Sequence, residues 1–226
     1  MRRLVNAVLL ATVLLAGFSC AKQPVGEETP RIQSGDLLFV GIPMTYWDDS
    51  MADAIAEATA NPGDTVNFIH TAILEVDPEG TVWVIDATLA HGVDRHPLDT
   101  LLSDFSLKPG NTRTLQVMRL KDNADAARYA EMAKGMLGEE YDVYFMPDNG
   151  RHYCTELVYD AYVDADGKHL FETVPMNFLN EKGEMPAYWT KLFAMLGEEV
   201  PQGKPGTNPQ MMRASDRLVS VLYLEK

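Results

Sequence analysis

Residues 67–76 (NFIHTAILEV) and 81–88 (TVWVIDAT) alternate with a period of two and are rich in β-branched and aromatic side chains, which predicts two strands. Between them Asp77-Pro78-Glu79-Gly80 places proline and glycine where a type I turn wants them, so the pair reads as a β-hairpin. LLFV at 37–40, LQVMRL at 115–120 and RLVSVLYLE at 217–225 predict three further strands. The spacing becomes helical in 49–59, where Met51, Ile55 and Ala58 recur. It does so again in 124–137, a helix capped by Asp122 or Asn123 and stopped at Gly138. Another helix opens near Cys154 and runs to about Val163, with Leu157, Val158, Ala161 and Tyr162 as its apolar stripe. Residues 91–110 show no regular pattern, and 164–206 suggest one short helix around Trp189 and Phe193. No βαβα rhythm appears, which predicts an α+β fold with an antiparallel sheet.

The first twenty residues, MRRLVNAVLLATVLLAGFSC, change where that domain is expected to work. Two arginines, an apolar run from Leu4 to Phe18 and a small-residue boundary predict an export signal over 1–19. The rival, a retained anchor, meets a run that is only marginal for spanning a bilayer. Cys20 at the end of the run resembles the lipobox of bacterial lipoproteins, whose cysteine is lipidated and becomes the new N-terminus; Phe18 departs from that pattern. Residues 20–31, with Pro24, Gly26 and Pro30, read as a lipidated tether, and 32–226 as one catalytic domain. The expected location is the cell envelope, on the periplasmic or outer-membrane face, with the membrane reached through the N-terminal lipid.

Composition narrows the partners. Hydrophobic residues make up 46% of the chain and charged ones 23%, ordinary values for a globular protein. The net charge is −14; removing 1–19 takes away Arg2 and Arg3 and leaves 33 acidic against 17 basic residues, or −16. Such a surface repels phosphate backbones, so no nucleic-acid partner is expected. A monomer is expected.

With Cys20 lipidated, Cys154 stands alone in a compartment that usually pairs cysteines. It lies at a helix start, where backbone N–H groups favour a thiolate and can bind an oxyanion. The bland alternative is a buried, inert small hydrophobe. A base must come from the sheet. His70 shares an otherwise apolar face with Phe68, Ala72 and Leu74, and Asp86 shares one with Val82 and Val84. A three- or five-residue loop around Pro78 preserves parity, so the two polar exceptions fall on the same face, opposite or one diagonal step apart. Cys154, His70 and Asp86 then form a nucleophile, a base and an orienting acceptor, with structural burial of all three as the rival. His152 precedes the helix and is expected to line the cleft. Glu75 points to the face opposite His70, and Glu156 reads as a bond to backbone. His91 and His96 fall in the irregular stretch with no ligand spacing to Cys154, so neither a metal nor another cofactor is expected.

GDLLF (35–39), the His70 strand, VIDA (84–87) and YCTEL (153–157), in that order, resemble the circularly permuted NlpC/P60 group of papain-like enzymes, nearest the YiiX/YaeF-like amidases and peptidases. In ordinary members the cysteine helix precedes the histidine; here the histidine comes first. Tyr141-Asp142, Phe145 and GTNP (206–209) also look like that family. The resemblance implies a permuted papain-like fold, Cys154 as nucleophile and His70 as base, with Asp86 where the family often has glutamate. It places Tyr153 beside the oxyanion site, and Tyr141 is expected to line it too. It implies a thiol hydrolase or transferase acting on an amide in a cell-envelope peptide or lipid-like substrate. The competing class is a non-catalytic lipoprotein that binds lipid or peptide in the same cleft. Methionines 176, 185, 195, 211 and 212 offer an adaptable apolar wall for an acyl chain, or simply core.

Overall fold

The structure, a computed structural model, describes residues 31–61 and 63–224, so the expected signal, Cys20 and nearly all of the tether lie outside the described residues. In chain order the elements are β1 (Asp36–Pro43), α1 (Met51–Thr59), β2 (Val66–Val76), β3 (Val82–Thr88), β4 (Gly92–Pro97), α2 (Leu98–Asp104), β5 (Thr114–Leu120), α3 (Ala126–Lys134) and α4 (Cys154–Ala161). There follow β6 (Val174–Pro175), α5 (Ala187–Leu196), β7 (Pro205–Gly206), α6 (Pro209–Arg213) and β8 (Leu218–Tyr223). Six strands form one antiparallel sheet in the order β4-β3-β2-β1-β5-β8, and β6 pairs with β7. The fold is α+β, as the segregation of patterns predicts. Among the described residues no helix is long and apolar enough to cross a membrane.

The sheet is covered on both faces. On one, Leu157, Val158, Ala161 and Tyr162 of α4 pack with Tyr129, Ala130 and Ala133 of α3 onto Leu37, Phe39, Ile73 and Ile85. On the other, Leu101 of α2 meets Leu38, Ala72, Leu74, Val84 and Val117. Each fully buried Leu, Val or Ile contributes roughly 1.5–3 kcal/mol from apolar burial, which fixes where α4 sits. Tyr162 ends that helix by donating its hydroxyl to the Gly35 carbonyl at 2.9 Å. Gly35 itself has φ +81°, and a Cβ there would fall 2.2 Å from the Ala126 carbonyl, so α3 can close on β1 only over a glycine.

Two stretches differ from the sequence reading. Residues 91–110 are not irregular: they form β4 and α2. Their apolar positions are too few to announce a strand, and pairing with β3 supplies the order. The third helix starts later than expected, after Asp125, which makes no side-chain cap bond, and it ends earlier, at Gly135, because glycine is a poor helix residue.

Candidate active site

The β2–β3 hairpin pairs Val76 with Val82 and Leu74 with Val84, leaving a five-residue loop from Asp77 to Thr81. Gly80 donates to the Asp77 carbonyl at 2.9 Å and has φ +86°. This register puts Asp86 opposite Ala72 and one diagonal step from His70. The imidazole Nε2 lies 2.6 Å from Asp86 Oδ2, and both side chains are buried.

Strict alternation would leave His70 and Asp86 with Ala72, Leu74 and Val84, on the face away from α4. A register shift between Val40 and Gly41 leaves Ile69, the neighbour of His70, unpaired against β1. Below the shift Phe68 joins Ile73 in the helix-side cluster although their parities differ. His70 sits at this bulge, where strands bend and side chains are re-aimed. Its ring and the Cys154 side chain line one cavity, and the thiol lies near enough to raise the imidazole pKa. With Nε2 used by Asp86, Nδ1 is the nitrogen left for the sulfur. Burial alone would lower the His70 pKa, but the bond to Asp86 and the nearby Cys154 outweigh it and push it to about 10. Asp86 is raised by burial and lowered more by its two histidine partners, to about 2.

The second partner is His96, a residue the sequence reading set aside. β4 pairs Val84 with His96 and Asp86 with Asp94, so these polar side chains share a face. His96 is buried, with Nε2 3.0 Å from Asp86 Oδ1 and Nδ1 3.0 Å from the Pro97 carbonyl. Burial lowers its pKa and these bonds more than reverse that, to about 9. The signal available in the sequence was the alternation of Asp94 and His96 straight after a hairpin strand. Gly92 makes that turn: φ is +68°, and a Cβ would meet the Glu139 carbonyl at 2.3 Å.

Cys154 is a free, buried cysteine at the first position of α4, and the first-turn N–H groups of a helix have no intrahelical acceptor. Tyr153, the residue before it, accepts from the Thr207 N–H at 2.9 Å, tying the helix start to 206–209. Tyr141 and Tyr153 both line the space beside the thiol. Burial, and next the charge of Cys154, raise the Tyr141 pKa well above its ordinary value, so its hydroxyl keeps its proton. Glu156 accepts from the Tyr153 N–H at 3.4 Å, the backbone bond expected of it. Burial and the neighbouring Asp142 raise its pKa to about 9.

His152 is placed differently from the expectation. Its ring lies between Glu139, 2.7 Å from Nδ1, and Asp160, 3.1 Å from Nε2, and it lines neither cavity at the thiol. The parallel bridge between Tyr141 and His152 turns the imidazole away. The methionine wall is also mostly absent: Met176 lines the space near Cys154, whereas Met195 is 84% exposed and Met211 and Met212 lie elsewhere. Trp189 and Phe193 are core.

Two cavities meet at the sulfur. One, of about 100 Å³, is walled by Phe145, Tyr153, Met176 and Phe178. The other, of about 140 Å³, is walled by Ile69, His70 and Phe105. Ile55, Tyr141 and Cys154 belong to both, and no Asp, Glu, Lys or Arg lines either.

A helix-start thiol, a sheet imidazole and a buried carboxylate, with the histidine strand preceding the cysteine helix, make this a permuted papain-like protein. The family model described as "Permuted papain-like amidase enzyme, YaeF/YiiX, C92 family" matches residues 31–222, and the chain belongs to that family. Membership carries a cysteine hydrolase-type function of the amidase or peptidase kind. Among solved structures the chain is similar to the crystal structure of the metalloprotein YiiX from Escherichia coli O157:H7. The identity is 24%, the TM-score 0.63, and the match covers 86% of this chain and 98% of that one. A search of curated proteins gives no match.

Proposed function

We propose that the protein is an exported thiol hydrolase that opens an amide flanked by uncharged, apolar groups through an acyl-cysteine intermediate. The observation that carries this reading is the pair of cavities meeting at Cys154 with no Asp, Glu, Lys or Arg in their walls, in a chain of net charge −14. Each is about the size of an engineered cavity that holds benzene, roughly 150 Å³. They suit a short acyl segment or apolar side chain better than the carboxylates of a wall peptide. In the proposed reaction the Cys154 thiolate attacks the carbonyl carbon, and first-turn N–H groups with the Tyr141 hydroxyl receive the oxyanion. The His70 imidazolium gives its proton to the leaving amine as the C–N bond breaks, leaving a thioester. His70 then takes a proton from water, which attacks the thioester and releases the acid and the Cys154 thiolate, restoring the starting thiolate and imidazolium. Asp86 holds the ring in the required tautomer.

The test is intact-protein mass spectrometry after incubation with separate pools of acyl amides and muropeptides. An acyl adduct on Cys154 from the first pool, absent in Cys154→Ala, supports the reading; adducts only from muropeptides change the substrate class. Binding without any adduct or product favours the non-catalytic module instead. Export and anchoring through Cys20 belong to the same proposal, resting on the apolar run and the cysteine that ends it. A fatty-acid probe should label the wild type in cells and leave Cys20→Ser unlabelled.

YiiX from Escherichia coli O157:H7 is described as a metalloprotein. Among the described residues of this chain one group, Asp86, Asp94 and His96, presents donor atoms all within 4.8 Å of one another, and Asp94 Oδ1 is buried without a hydrogen-bond partner. The donor set fits a divalent cation.

A further inference from the structure

We propose that Asp86 Oδ1, Asp94 Oδ1 and His96 Nε2 form a divalent-cation site of the zinc class, directly behind the pair made by Cys154 and His70. It stands on the β3–β4 ladder alone and holds whether or not Cys154 is a nucleophile.

The ladder places the donors. Asp86 faces Asp94, and His96 follows two residues later on the same face of β4. His96 Nε2 is 3.0 Å from Asp86 Oδ1 and 3.5 Å from Asp94 Oδ1. Four ligands at ~2.0–2.1 Å from a tetrahedral ion stand ~3.3 Å apart, so these separations straddle the required edge. The third edge, between the two carboxylates, is within 4.8 Å, and the part-exposed Asp94 is the side chain free to close it.

The tautomer is also prepared. A carbonyl can only accept, so the Pro97 oxygen 3.0 Å from His96 Nδ1 requires a proton on that nitrogen. This leaves Nε2 as the ring atom facing both carboxylates. A metal-bound histidine usually donates its other N–H to a carbonyl or carboxylate in this way. Asp94 supplies the second observation: its Oδ1 is buried and makes no hydrogen bond, the His96 Nε2 at 3.5 Å being an ion-pair contact only, a cost that a bound cation would offset. The remainder of the Asp94 side chain is 38% exposed, which gives an ion a way in and water a place as fourth ligand. One imidazole among carboxylates favours zinc-class ions over magnesium or calcium.

The competing occupant is a proton. Without an ion, His96 carries hydrogen on both nitrogens and donates from Nε2 to Asp86; an ion would displace that proton. Either way Asp86 Oδ2 stays with His70, 2.6 Å away. The cation would therefore be a clamp on the orienting carboxylate.

Zinc chloride titrated calorimetrically into chelator-treated full-length protein reads this directly. We expect one equivalent bound by wild type and by Cys154→Ser, and at least tenfold weaker binding by Asp94→Asn and by His96→Gln. Asp94→Asn changes a partly exposed side chain, and an unaltered melting curve will show that it folds. Loss of binding in Cys154→Ser with Asp94→Asn unaffected would put the ion on the thiol and imidazole and overturn the site. No binding by wild type would leave a protonated hydrogen-bond bridge and overturn it equally.

Discussion

Among the described residues His70, His91, His96 and His152 lie against carboxylates, and the surroundings of His152 and His70 make them different devices. His152 lies between Glu139 and Asp160, at 2.7 and 3.1 Å, and both carboxylate side chains are 36% exposed. At His70 the arrangement is inverted: one carboxylate, Asp86, is shared by two imidazoles and is 1% exposed. Coulomb attraction at 4 Å is worth about 1 kcal/mol in water and about 4 kcal/mol near a protein surface of effective dielectric 20, so burial decides which contact is strong. The pKa of His152 is raised too: burial lowers it, and Asp160 and Glu139 more than reverse this. Only at Asp86 does a thiol lie within reach of the ring. Counting histidines near carboxylates therefore does not single out the candidate site; finding the buried carboxylate does.

The largest test of that contrast removes the base. Under the proposed mechanism His70→Ala should lower turnover of an amide that acylates Cys154 by on the order of 10³-fold. Asp86→Asn should cost less, roughly 10²-fold, because it removes orientation and keeps the imidazole. Equal activity in wild type and His70→Ala would end the assignment.

A second measurement follows stability against pH. The pKa values of His70 and His96, about 10 and about 9, lie above the ordinary 6.5. Their stabilisation is therefore whole below pH ~6.5 and fades as pH rises through 9 and 10. Asp86, held at about 2, acts in the opposite direction: its contribution is whole above pH ~4 and fades as pH falls toward 2. Wild-type melting temperature should fall from pH 7 to 10, and Asp86→Asn should melt lower and give a flatter profile over that range. A parallel decline in the two proteins would show that the stabilisation comes from elsewhere.

The smallest effect is expected at the other histidine. His152→Gln should cost about 1 kcal/mol or less in a denaturant titration, as part-exposed ion pairs do, and change turnover less than about threefold. A loss near that of His70→Ala would mean that His152 serves the thiol after all.

The hairpin could be read from the chain because its evidence is local: period-two alternation, a proline-glycine turn and a loop whose parity is countable. That reading also put Asp86 on the face of His70, opposite or one diagonal step away. His96 could not be found the same way. Its strand has one fully buried apolar residue, Val93, and owes its order to ladder bonds with β3 and to contacts of Gly92 and Val93 with Glu139, dozens of residues away. The orientation of His152 was equally hidden, since it depends on the bridge to Tyr141 and on where α4 presents Asp160.

By itself the sequence determined the α+β class, the hairpin, the apolar stripe of α4 and the order of histidine before cysteine, all properties of side-chain period and chain direction. Tertiary structure alone decided the meeting of Cys154 with His70. Alternation would leave His70 on the face away from α4; a bulge lies beside it, with Ile69 unpaired opposite the shift between Val40 and Gly41, and ring and thiol share a cavity once α4 is packed on the sheet. A glycine inside a strand hints at a bulge, and Gly41 stands at this one, but how the two strands twist and pack decides which residue is left unpaired.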